Sequence, residues 1–98
     1  RRAARGGQRA MAGERKIGTV TDYYAKIGVA AIKLTDGPLQ AGDTVRFHGH
    51  TTDFLQRVQS LQVEHQTVPR AEQGSEVAVK VTERVRKHDE VLRVEGGY

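Results

Sequence analysis

The sequence predicts an all-β domain, on three observations. Strand-favouring residues recur in short runs, the clearest being EVAVKVTERV at 76–85, where Val77, Val79 and Val81 alternate with Ala78, Lys80 and Thr82. Turn signals separate these runs: Asp36-Gly37-Pro38, Gly42, Val68-Pro69 and Gly74. No segment carries a convincing helical pattern. Many short strands joined by Gly-rich turns imply a sandwich or a barrel, and closure would remove exposed edges.

The opening RRAARGGQRAMAGE has Met11 as its one large apolar residue, so it can bury almost nothing to offset the entropy of ordering. Residues 1–13 are therefore expected to be a disordered basic tail, with Met11 a candidate start. Ile17 to Tyr24 and IGVAAIKL at 27–34 then read as a hairpin. In the second of these strands Ala30, Ile32 and Leu34 fall on one face and Ile27, Val29, Ala31 and Lys33 on the other, which suggests cover on both sides. Residues 35–43, TDGPLQAGD, form a compact turn in which Leu39 is expected to plug an open end of the sheet. In TVRFHGH, Val45 and Phe47 should point inward. FLQRVQSLQVEH changes parity between Phe54 and Val58 on one side and Leu61 and Val63 on the other, so a bulge is expected near Gln59 and Ser60. EVAVKVTERV and a final EVLRV bring the count to about six strands.

Ninety-eight residues make one small domain, and 37% hydrophobic content supports a modest core. The net charge is +4 and the isoelectric point 9.8. Arg1, Arg2, Arg5 and Arg9 supply that excess, because beyond residue 10 the 12 bases balance the 12 acids. The basic character belongs to the tail and not to the body. With no cysteine there is no disulfide framework or thiol nucleophile, as suits the cytoplasm. The longest apolar stretch, Ile27 to Ile32, is far short of the roughly 20 residues of a membrane helix, so no membrane partner is expected.

The run KIGTVTDYYAKIGVAAIKLTDGPLQAGDTVRFHG orders Gly18-Thr19-Val20, Gly28-Val29-Ala30, the Leu39, Gly42 and Asp43 turn and the Val45 to Phe47 strand. In that order it resembles the second, β-barrel domain of translational GTPases. GHTTDF, VQSLQVEH and VAVKV are further similar to stand-alone elongation-factor-like proteins and to a domain appended to some peptidases. The resemblance implies a six-stranded closed antiparallel β-barrel over residues 14–95, with 96–98 as a C-terminal tail. It does not import a GTPase, since no GxxxxGK[ST] phosphate loop is present. His88 stands where relatives often carry glycine before aspartate, so the turn there is expected to need a left-handed residue.

Translation-factor domains of this kind touch RNA, and the resemblance makes RNA or the ribosome the first candidate partner. Lys26, Arg46, His48 and Arg57 would meet phosphate, and Tyr23 or Tyr24 would stack on a base, one of the pair pointing inward by parity. The alternative is a protein-interaction module docking on an enzyme such as a peptidase, for which Leu55, Val68 and Val85 are the apolar residues of open exposure. His48 and His50 form an H-x-H pair that on one strand face would point at a metal, with a third ligand from His65, Asp53 or Glu64. No spacing secures that third ligand, so no metal is expected. Ser60 and Ser75 are the only serines and neither sits in a nucleophile elbow, so neither catalysis nor a cofactor is expected.

Overall fold

The structure, a computed structural model, describes residues 13–95. The tails expected at 1–13 and 96–98 lie outside the described residues, except for Gly13. Ten strands follow in chain order: β1 (Glu14–Tyr24), β2 (Val29–Lys33), β3 (Leu39–Gln40), β4 (Thr44–His48), β5 (Asp53–Arg57), β6 (Leu61–Val63), β7 (Gln66–Val68), β8 (Arg70–Ala71), β9 (Glu76–Lys80) and β10 (Glu90–Val94). All pairings are antiparallel. Among the described residues there is no helix, and so none long and apolar enough to cross a membrane.

Eight strands form one sheet in the order β5-β4-β10-β1-β2-β9-β6-β7, and β3 pairs with β8. The six-stranded closed barrel is thereby corrected. Among the described residues the sheet is open in its ladder, with β5 and β7 at its ends. Two causes account for the extra strands. The long FLQRVQSLQVEH segment is not one bulged strand: it breaks at Val58–Ser60, so that β5 pairs with β4 while β6 crosses to β9 and β7. The turn segments at 35–43 and 69–71 also meet each other as β3 and β8.

The open sheet nevertheless curls on itself. Gln56 of β5 donates its amide N–H to the Lys80 carbonyl at 2.8 Å, and its Oε1 accepts the Thr82 N–H at 2.8 Å. One side-chain amide thus occupies the carbonyl that ends β9 and the N–H two residues beyond it, as a residue of a neighbouring strand would.

Inside the curl the apolar residues meet. Val77, Val79 and Val81 point inward and Lys80 and Thr82 outward, as the alternation predicts. Val45 and Phe47 are buried, Leu39 is buried with its register partner Ala71, and Phe47 stacks on Phe54 with ring centroids 5.1 Å apart. On β1 the inward residues are Ile17, Val20 and Tyr23, a spacing of three that no regular strand allows. Two register shifts produce it. One falls between Lys16 and Gly18 against β10, the other between Val20 and Asp22 against β2. Each inserts a residue and resets which side faces the core.

The turn before β10 holds His88 at φ 76°, in the left-handed region expected of it. Its N–H bonds the Val20 carbonyl, and Asp89 accepts the Arg86 N–H. A left-handed L-residue costs roughly 1–2 kcal/mol, whereas glycine there costs only chain entropy of about 0.5–1 kcal/mol. His88→Gly is therefore expected to stabilise the domain by about 0.5–1 kcal/mol, raising Tm by roughly 2–8 °C in a thermal melt. A lower Tm would mean that the exposed imidazole makes a favourable contact.

Candidate functional site

The outer face of the sheet is where β2 departs most from expectation. Ala30, Ile32 and Leu34 are buried, but among the described residues nothing covers the opposite face: Val29 and Ala31 are half-buried and Ile27 is 63% exposed. Ala31 sits opposite Ala78 of β9, and Ala78 opposite Gln62 of β6, so two methyl groups form a low floor over β2 and β9 with Gln62 beside it. Tyr24, 48% exposed at the end of β1, and Ile27 in the following turn stand above this floor. They are two of the three large apolar residues so exposed among the described residues; the third is Leu55. The result is a shallow groove of about 460 Å³, closed on the far side by Glu64 and His65 and at one end by Glu76.

The far wall is built under strain. β6 and β7 join through a two-residue turn, Glu64 at φ 52° and His65 at φ 67°. This is the type I′ geometry that strongly favours Asn-Gly, because both central residues need positive φ. Glu76 is held differently, accepting a hydrogen bond from the Thr21 hydroxyl at 3.0 Å. Its register partner Lys33 turns away and donates to the Gly74 carbonyl at 2.9 Å.

The six residues read from the sequence as an RNA contact fall in three places. Tyr23 packs against the core and Tyr24 stands in the groove, which matches the parity expectation, and Lys26 lies exposed in the turn beyond them. Arg46 and His48 are on β4. Arg57 ends β5, opposite Thr44 and away from the β4–β5 turn. Arg46 is committed to carboxylates, with Nε 2.8 Å from Asp53 and Nη1 2.8 Å from Glu14. Those hydrogen bonds, Asp53 first and then Glu14, raise the guanidinium pKa above its ordinary value. The same contact lowers that of Asp53.

β4 ends at His48, and His50 lies in a turn where the Gly49 N–H bonds the Thr52 carbonyl, so the two imidazoles do not share a strand face. Among the described residues, no group of three or more His, Asp and Glu is placed to hold a metal ion. Leu55 is exposed, Val68 is partly buried against the core, and Val85 is fully buried. Strand parity sets Ala78 on the outer side of its strand and Ile27 on the second face of the run at 27–34, but the cover expected over that face hid the groove. The signal was the apolar outer parity of β2, which no further element covers among the described residues.

No protein-family model matches this chain. Among curated proteins it is 33% identical over 78 residues to a collagenase of Porphyromonas gingivalis, covering 79% of this chain and 22% of that protein. It is 39% identical over 77 residues to an uncharacterized protease of Methanocaldococcus jannaschii, covering 78% of this chain and 19% of that protein. The chain thus spans about a fifth of the length of the curated relatives it matches. Among solved structures, the C-terminal domain of a putative U32 peptidase from Geobacillus thermoleovorans superposes with a TM-score of 0.75 at 21% identity, covering 81% of this chain and 91% of that one.

These matches overturn the assignment to translation-factor domain 2. The curated relatives are proteases and the matching fold is a peptidase's C-terminal domain, so the elongation-factor reading falls, and the RNA and ribosome readings lose the resemblance they rested on.

Proposed function

We propose that this domain is a non-catalytic accessory module that docks on a peptidase body. The observation that carries the reading is the likeness at 33% and 39% identity to about a fifth of two proteases, the remaining four-fifths of each lying outside the match. The fold likeness to a peptidase's C-terminal domain supports the same reading.

The residues also favour docking over chemistry. Ser60 is exposed in the β5–β6 link and Ser75 lies half-buried before β9, and among the described residues neither side chain hydrogen-bonds a histidine. Asp89, the one buried carboxylate among the described residues, is occupied by the Arg86 N–H. Peptide hydrolysis needs an activated nucleophile beside a base and an oxyanion donor. In this reading the body supplies those groups and this domain supplies a surface. A cysteine-free chain is compatible with the cytoplasmic setting.

A domain exchange tests the proposal. Replacing the matched 78 residues of the P. gingivalis collagenase by this chain should keep collagen cleavage within about tenfold of the parent, while deleting them should lower it further. A chimera indistinguishable from the deletion would remove the accessory role.

A further inference from the structure

We infer that the outer-face groove is the docking surface itself, and that it takes an extended segment of the peptidase body. That segment carries an apolar side chain followed, two to four residues on, by lysine or arginine. The inference rests on the accessory reading above and adds the face and the chemistry of its partner.

The groove has two unlike ends. Tyr24, Ile27 and Val29 make one end apolar. At the other, Glu76 lies opposite Lys33 in the register, four residues along β2 from Val29, and Glu64 stands on the adjoining β6–β7 turn. At about 3.3 Å per residue, four residues place the carboxylates roughly 13 Å from the apolar end, a span that a cation two to four residues beyond the apolar anchor covers. Among the described residues the charged groups lining the groove are these two glutamates, with His65 beside them. The one lysine opposite Glu76 is turned to a backbone carbonyl instead. An acidic end with an apolar approach selects a cation that follows an apolar anchor. Between the ends, Ala31 and Ala78 leave room for a backbone to lie close to the sheet.

The strained wall points the same way. A type I′ turn built as Glu64-His65 forgoes the stability of Asn-Gly while placing a carboxylate and an imidazole on the rim. Size argues for a body and against a free peptide. A groove of about 460 Å³ offers too little surface to hold a free partner tightly. A body joined in one chain, as in the relatives, presents its segment at an effective concentration in the millimolar range, where a weak contact is populated.

Hydroxyl-radical footprinting of the free chain and of the collagenase chimera tests this, and it reads docking whether or not the chimera cleaves collagen. In the chimera Tyr24 and His65 should oxidise at least threefold more slowly than in the free chain, with Leu55, exposed elsewhere, unchanged. The double reversal Glu64→Lys with Glu76→Lys should return Tyr24 to the free-chain rate without changing Tm by more than a few degrees. Unprotected Tyr24, protection at Leu55 instead, or protection that survives the double reversal would each overturn the inference. So would protection that rises with concentration in the free chain, which would make the occupant a second copy. An active chimera with Tyr24 unprotected sinks the groove and leaves the accessory role standing.

Discussion

Phe47→Ala is expected to lower the unfolding free energy by about 3–5 kcal/mol. Phe47 is fully buried on β4, stacked on Phe54 across the β4–β5 pair and opposite Val91 of β10 on its other side. Truncation removes the transfer free energy of a whole ring and leaves a cavity bordered by three strands of one sheet. Those strands are fixed by their ladders and can collapse only partly. A domain of this size holds on the order of 5–10 kcal/mol in total, so the variant should be marginal at room temperature. Urea melts check this through the midpoint at constant m-value. A loss under about 1 kcal/mol would mean that the core does not centre on the phenylalanine pair.

Gly18→Ala should cost about 3 kcal/mol, although it adds a single carbon. A Cβ at Gly18 would stand 2.2 Å from the Lys33 carbonyl oxygen, 3.1 Å from its carbon and 3.2 Å from the Leu34 Cα. Every one of those atoms is backbone, so no rotamer change relieves the clash. The chain itself must move, and β1 is tied to β10 on one side and β2 on the other. The position requires glycine for want of space and not for its dihedral freedom, so Gly18→Ser should fail equally. An equilibrium melt within about 1 kcal/mol of the parent would show that β1 and β2 part more easily than their pairing implies.

Gly18 also shows what the sequence made legible. It entered the reading as part of a Gly-Thr-Val string resembling other barrels, whereas its physical meaning is the close approach of Lys33, two strands' worth of backbone that no single sequence displays. The inward valines of β9 and Val45 with Phe47 on β4 were legible because a strand with one buried face must alternate. The left-handed His88 was legible because it stands where glycine is usual. By contrast, Ile17, Val20 and Tyr23 at a spacing of three match neither strand nor helix, and only the two register shifts make sense of them. The parity break after Val58 was visible, but a bulge and a crossing to another strand leave the same mark in a sequence. The groove was half legible: the apolar outer parity of β2 was seen, and the expectation of a second cover hid its meaning.

The Gln56 amide gives the domain a breathing mode that a laddered barrel lacks. Parting β5 from β9 breaks three hydrogen bonds of one side chain, to the Lys80 carbonyl and from the Thr82 N–H and hydroxyl, and leaves all eight backbone pairings intact. The sheet can therefore unroll locally at a free energy well below that of global unfolding. Each such excursion bares the edge of β5 that no other described strand pairs, a template for strand exchange between copies. Asp53 and Arg57, exposed at the two ends of that strand, set opposite charges on the edge and make an uncharged intruder a poor fit.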